Sequence, residues 1–413
     1  MFRVNDKAFS RNRILDFPKL VIALLSNLSK TLSIEVFDMI QTFQLVNYSK
    51  QAFSWARLNL KYTAFIYLNN QVVQNFYLED YKTFKGRILL AVDGFTMSLP
   101  NVKKLGKKFG YAKNQKSDSI NPIASCIAVY DILNELILSS NMRRYSTEER
   151  KMAESSIDKI LSLIPNKNFL LVADRGFPSL GMLFYLASKN IDFVIRNSSP
   201  FIKEFNDIYD GKENDLVKNV VIDKQRYRDN KDYQNIFDNL NRNLKLRMVK
   251  VSIGENKFEY LITNLLNTEE FSREDLKEIY RKRWCIETDI KRKKVLAELE
   301  NFASKTSFRI KQEFYAKILI MNFSNIMIGE VEEELQKKKN DTSYRINRNI
   351  AYGLIKKIIL EAFNKDSDIE SKLEMVYEYL IRQYTKTIPN RIFERKPSNQ
   401  RTLKYHWNQR RNS

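Results

Sequence analysis

The sequence predicts an α/β protein, and three observations carry that expectation. Two short apolar runs of strand length each close on an acid, Arg87–Asp93 (RILLAVD) and Asn168–Asp174 (NFLLVAD). Further strand-like and helical segments alternate between and after them. From Ser272 a helical pattern runs to about Asn301.

The elements follow in order. Arg87–Asp93 is the first strand. Ala124–Leu133 and Leu136–Ser140 read as the next two, a hairpin turning near Asn134. Ser146–Leu163 reads as a helix, with Ser146 and Glu149 as its capping box. Asn168–Asp174 is the fourth strand, Pro178–Lys189 a helix and Asp192–Arg196 the fifth strand. Three strands, helix, strand, helix, strand is the order of a ribonuclease H-like mixed five-stranded sheet with flanking helices, although periodicity alone says only α/β.

Residues 198–268 break this rhythm. They are charged and hold strand-like pieces at Val220–Asp223, Leu246–Ile253 and Phe258–Ile262, a β-rich insertion before the long helix. Residues 1–82 read as short helices: Lys19–Leu28 opened by Pro18, then Ser33–Phe43, then Lys50–Leu60 capped by Ser49. The third would expose Lys50, Gln51, Ser54 and Arg57, as a helix-turn-helix DNA reader does; a plain helical cap on the next domain has the same pattern. The expected organisation is therefore 1–82 helical and DNA-binding, 83–304 catalytic with the insertion, 305–384 helical with possible protomer contacts, and 385–413 a basic tail. That tail carries eight Lys or Arg against the single acid Glu394.

Composition narrows the function. Lys and Arg number 70 against 49 Asp and Glu, for a net charge of +21. Such an excess points to a polyanionic partner, most commonly nucleic acid. Two cysteines, Cys126 and Cys285, and the single His406 leave no Cys/His zinc site or disulfide scaffold, and fit a reducing cytoplasm. The longest apolar stretch, from Ile318 to Ile328, is broken by Asn322, Ser324 and Asn325 and is too short to span a bilayer. No phosphate-loop motif suggests a nucleotide cofactor, and no membrane association is expected. Lys103, Lys104, Lys107, Lys108, Lys113 and Lys116 form a basic loop after Asp93, either a phosphate track or a solvated surface.

Asp93-Gly94 and Asp174-Arg175-Gly176 each close a strand. Carboxylates at the ends of adjacent strands converge, and a convergent pair either shifts pKa or holds a hard cation such as Mg²⁺ or Mn²⁺. Either motif alone is also ordinary turn chemistry. On the long helix, Tyr280, Glu287 and Lys294 drift by only about 20° per seven residues, and Arg283 falls about 60° away. All four share one face, beside an apolar stripe of Ile279, Ile286, Ile290 and Ala297. A salt-bridged solvent face would look the same.

Tyr280-x-x-Arg283-x-x-x-Glu287 followed by Lys294 resembles the YREK signature of the insertion sequence 4 family of DDE transposases, residue for residue and gap for gap. Asp93-Gly94-Phe95-Thr96 with Leu99-Pro100-Asn101, Ala173–Ser179, Arg283-Trp284-x-Ile286-Glu287 and Glu298–Phe302 are similar to that family's remaining motifs. The similarity spans nearly the whole chain, including Ser49–Arg57 and Pro389–Lys396.

The resemblance implies a ribonuclease H-like catalytic domain in which Asp93, Asp174 and Glu287 hold two Mg²⁺ ions, with Mn²⁺ able to substitute. It implies a transposase of a bacterial insertion sequence, cytoplasmic and nucleoid-associated. Such an enzyme binds terminal inverted repeats, cleaves them, joins the 3′-hydroxyl to target double-stranded DNA and self-associates in a synaptic complex. Tyr280, Arg283 and Lys294 would grip phosphates, with Arg175 and Trp284 beside them. The sequence departs in one respect. Its three tryptophans are Trp55, Trp284 and Trp407, so the insertion lacks one to stack a flipped base; Phe258 and Tyr260 are the candidate substitutes, and the route of end processing stays open. The competing readings are a catalytically silent DNA-binding descendant and a nuclease without strand transfer.

Overall fold

The structure is a computed structural model, and it describes residues 2–10, 13–26, 31–111, 121–198, 200–254, 257–283, 298–362 and 368–387. Four helices lead: α1 (Phe17–Leu25), α2 (Leu32–Thr42), α3 (Lys50–Arg57) and α4 (Thr63–Phe76). Asp16 caps α1 by accepting from the Lys19 amide at 2.9 Å, with Pro18 in the first turn, where its missing N–H costs nothing. Ser49 caps α3 as expected.

A central sheet follows, built from β1 (Ile88–Ser98), β2 (Ile123–Asp131), β3 (Leu136–Arg144), β4 (Phe169–Ala173) and β5 (Asp192–Asn197). Between them lie α5 (Lys103–Phe109), α6 (Glu149–Leu163) and α7 (Leu180–Ser188). β1, β2 and β3 are antiparallel neighbours, and β4 and β5 run parallel to β1. The spatial order β3-β2-β1-β4-β5 is that of a ribonuclease H-like sheet.

The insertion enlarges this sheet. It forms short helices α8 (Asn206–Tyr209), α9 (Lys224–Asp229) and α10 (Gln234–Asn239), and strands β6 (Asp215–Val221), β7 (Asn243–Gly254) and β8 (Lys257–Thr263). β8 pairs with β5 from Val194↔Thr263 to Asn197↔Tyr260, so the expected five strands become eight, ordered β3-β2-β1-β4-β5-β8-β7-β6. After β8, helix α11 is described over 273–283. Then come α12 (Ser307–Lys339), α13 (Arg348–Ala362) and α14 (Ile369–Leu380), with a small ladder of β9 (Tyr344–Ile346) and β10 (Tyr384–Lys386).

Several boundaries differ from expectation: β3 runs past Ser140 to Arg144, and β6 lies at Asp215–Val221, where its pairing with β7 places it, instead of Val220–Asp223. β1 does not stop at Asp93 but continues to Ser98, because 94–98 pair with 123–127 of β2. The Ser146–Glu149 capping box does not form: α6 starts at Glu149, and Ser146 sits in the left-handed region at φ 70°. The long helix does not reach Asn301, since 298–300 form a turn with Glu298 at φ 47°.

The core has three parts. On one sheet face, α6 and α7 pack on Leu90, Val92, Leu171 and Ile195. On the other, α1 to α4 and α12 to α14 share a single core with Ala91, Met97, Cys126 and Tyr130. Beside it, Leu276, Ile279 and Tyr280 of α11 pack on Leu89, Leu170, Val172 and Val194. The polar residues that interrupt the apolar stretch of α12 have structural work. The Asn322 amide donates to the Ile137 carbonyl at 2.7 Å and accepts from its N–H at 2.8 Å, satisfying the open edge of β3. Among the described residues no helix is long and apolar enough to cross a membrane.

Candidate active site

Side chains alternate between the faces of a strand. In β1, Leu89, Ala91 and Asp93 therefore share one face, and in β4 Leu170, Val172 and, just beyond the strand, Asp174 share the same one. Leu89, Leu170 and Val172 lie in one cluster with α11, which assigns that face. β1 and β4 pair in parallel with Ala91 opposite Val172. The same register continued by two residues sets Asp174 beside Asp93. Ala91 and Met97 belong instead to the core of the outer helices. Asp93 thus sits where the two helical layers meet, and it is half-buried, like Asp174.

The turn after β4 holds its aspartate. The Gly176 N–H donates to Asp174 Oδ1 at 2.8 Å, and the Phe177 N–H donates to the Asp174 carbonyl. Arg175 is exposed beside it. Gly94 leaves room for its neighbour on the opposite face: a Cβ there would lie 2.6 Å from the Glu149 carboxyl carbon, so that side chain would have to turn away. Glu149, read as a capping residue from sequence, instead places a third carboxylate next to the β1 backbone, on the other side from Asp93.

α11 brings Tyr280 and Arg283 to the face of the two aspartates, but not as open phosphate grips. Each is only 2% exposed. The guanidinium of Arg283 lies over the Tyr280 ring, 5.4 Å from its centre. Burial raises the Tyr280 phenol above its ordinary pKa, against the opposing field of Arg283. Arg196 on β5 and Glu259 on β8, paired at 3.1 Å, act on the same phenol. Trp284, Glu287 and Lys294, and the stripe residues Ile286, Ile290 and Ala297, lie outside the described residues.

The chain that follows α11 is pinned close to β1. The Ser98 N–H donates to Glu300 Oε1 at 3.1 Å. Lys317 of α12, 7% exposed, donates to the carbonyls of Glu298 at 2.6 Å and Asn301 at 2.7 Å. Leu299 and Phe302 enter the main core. A lone lysine within the apolar run FYAKILIM is the sequence signal for this role.

Two expectations are corrected. Arg57 is not on a DNA-reading surface: it is 1% exposed, its Nη2 meets Glu313 Oε1 at 3.0 Å and its Nε donates to Gln312 Oε1 at 3.2 Å. An interior carboxylate 256 residues away claims the charge. Lys50, Gln51 and Trp55 do face solvent. Lys103, Lys104, Lys107 and Lys108 lie on helix α5 rather than in a loop, exposed, with Leu105 and Phe109 docking the helix into the core. In the insertion, Phe258 is 48% exposed with the Lys250 ammonium 4.2 Å from its ring centre, while Tyr260 packs on Tyr209.

A mixed sheet with β1 between β2 and β4, two aspartates on adjacent strands and a helix laid over the same face make a ribonuclease H-like domain. The family model of the transposase DDE domain matches residues 84–323, more than half of the chain. The chain belongs to this transposase family. Among solved structures it is similar to a piggyBac transposase synaptic complex with hairpin DNA, at 10% identity and a TM-score of 0.45 over 96% of this chain and 82% of that one. No curated protein matches the chain.

Proposed function

We propose that this transposase is that of a bacterial insertion sequence, cutting the terminal inverted repeats of its element and joining the ends to target DNA at one site formed by Asp93, Asp174 and Glu287. The observation that supports this most is the placement of Asp93 and Asp174 on one face of two adjacent strands, with α11 packed on that face. Hard carboxylate oxygens brought together in this way suit divalent cations, Mg²⁺ or Mn²⁺. Among the described residues no three metal-ligating side chains gather, and the third expected ligand, Glu287, lies outside them. Two such ions would supply Lewis-acid stabilisation for in-line displacement at phosphorus.

The chain's own residues supply the frame. The Gly176 N–H orients the Asp174 carboxylate. Lys317 and Ser98 hold residues 298–301 beside β1, downstream of Glu287 in the sequence. Arg175 and the exposed lysines of α5 offer cations to the DNA backbone, and Lys50 and Gln51 on α3 present a surface for the repeats. Tyr280, Arg283 and Lys294 act near the cleaved end. Given their burial, Tyr280 and Arg283 shape the floor beneath the phosphate. Two ends are processed together, which requires self-association.

The test is purified protein with Mg²⁺ and DNA carrying the inverted repeats that flank its gene. Cleavage at the repeat ends followed by joining supports the proposal. Binding without cleavage indicates a silent descendant, and cleavage without joining indicates a nuclease.

A further inference from the structure

A second charged feature lies away from the carboxylates. A cavity of about 590 Å³ opens at the β3 edge of the sheet, where four elements converge. Lys107 and Lys108 come from α5, Arg143 and Arg144 from the end of β3, Lys151 from α6 and Lys311 from α12. Phe109, Met142 and Met152, all buried, form its apolar floor, and Thr147 and Ser155 add hydroxyls. Among the described residues no acidic side chain lines it. Among the described residues, Lys151 alone of the six has an ion pair, with Asp232 at 2.6 Å outside the cavity.

Six cations from four elements are not a solvated stripe on one helix. Like charges held together raise the free energy of the empty site and favour an anion that relieves it. Burial lowers the Lys311 ammonium below its ordinary pKa, and the fields of Arg143 and Lys108 lower it further. Lys159 nearby is lowered by burial and again by Arg143. Arg143 and Arg144 offer planar forks suited to phosphate oxygens.

The sheet register sets the distance to the carboxylates. Arg144 pairs with Ala124, and Ala124 with Met97. Arg144 is therefore two strands across and four residues along from Asp93. At about 4.8 Å per strand and 3.3 Å per residue this is roughly 16 Å, or about five base pairs of duplex rise.

We propose that this cavity is a second DNA-backbone site, which clamps phosphates of the same duplex some five base pairs from the position that reacts. The inference takes its partner, DNA, from the function proposed above, but its test does not need cleavage. The full-length Arg143→Ala/Arg144→Ala/Lys311→Ala variant is compared with wild type for binding a random-sequence duplex across a salt series. A control, Lys218→Ala/Lys224→Ala/Lys245→Ala, removes the same charge from lysines of the insertion, of which Lys224 and Lys245 are exposed and Lys218 half-buried.

The expected result is that the slope of log affinity against log salt falls by about 0.9 per lost phosphate contact in the cavity variant, and not in the control. Arg143→Lys/Arg144→Lys retains the slope. Equal slopes in wild type and cavity variant overturn the proposal, and so does an equal drop in both alanine triples, which would report only the general field. The repeat-bearing duplex then identifies the source of the phosphates. Reduced end cleavage in the cavity variant assigns them to the element end; normal cleavage with reduced joining assigns them to the target. If wild type cleaves nothing, the function proposed above fails while the salt slopes still decide this site.

Discussion

Arg57 of α3 and Glu313 of α12 form an ion pair at 3.0 Å in which each side chain is only 2% exposed. Glu313 Oε2 also accepts from the Ala303 N–H at 2.9 Å. Gln312 reaches back to the carbonyls of Arg57 and Leu60. One buried polar knot thus joins the N-terminal helices to the longest helix of the chain, just past the segment that follows α11. Removing one partner strands a buried charge, which costs about 3–5 kcal/mol. Arg57→Ala is expected to lower unfolding stability by that order in denaturant melts. Arg57→Met/Glu313→Leu should recover much of it. A stability change below about 1 kcal/mol in the single variant would contradict the pairing.

Lys317 gives the second prediction. Its ammonium closes the turn at 298–301 by two carbonyl contacts. Hydrogen bonds from a charged donor contribute about 1.5–3 kcal/mol, so Lys317→Met should destabilise the protein modestly. More telling, cleavage should fall while DNA affinity is unchanged, because Lys317 is buried and fixes the turn that follows Glu287 in the sequence. Loss of affinity in parallel with cleavage would assign Lys317 a different role.

The third concerns α5. A Cβ on Gly106 would sit 1.8 Å from the Tyr111 ring, so Gly106→Ala must displace either the ring or the helix. Thermal melting should fall, and Tyr111→Ala in the same chain should restore it. Without that rescue, the close approach is not the cause.

The fourth is a pH effect. Hydrogen bonds from Ser343, then the Lys386 ammonium at 3.0 Å, lower the Asp341 carboxyl from 3.8 to about 2. A depressed carboxyl contributes stability that is fully present above its unfolded value and is lost as pH falls through the folded one. The β9–β10 ladder should therefore hold down to about pH 3.8 and loosen toward pH 2. A carboxyl-carbon NMR titration checks this, and a midpoint near 3.8 would mean that the contacts do not form.

Much of the sheet was legible because its central strands are apolar on both sides. Ile88–Val92 and Phe169–Ala173 are buried without interruption, and runs of that length between turn residues have few other readings. The two aspartates stood out for the same reason, as acids closing apolar runs. What failed were matters of partnership. Nothing local says that Thr96–Ser98 extend β1, since β2 supplies their pairing. Arg57 looked like a DNA-facing residue because Glu313 is distant in sequence, and the face of Tyr280 and Arg283 was identified while their burial was not. Two strands of the insertion were recognised singly, β7 and β8, while β6 was placed too late, at Val220–Asp223 instead of Asp215–Val221; that they extend the central sheet depends on β8 finding the edge of β5.

The central claim is that Asp93 and Asp174 belong to one reactive site. Asp93→Asn and Asp174→Asn are isosteric and keep the fold, so the decisive measurement is Mg²⁺-dependent cleavage of repeat-bearing DNA by each variant, alongside DNA affinity. The account predicts that each loses cleavage by about a thousandfold or more, as expected when several kcal/mol of transition-state stabilisation disappear, with binding retained. Cleavage within about tenfold of wild type in either variant would contradict it.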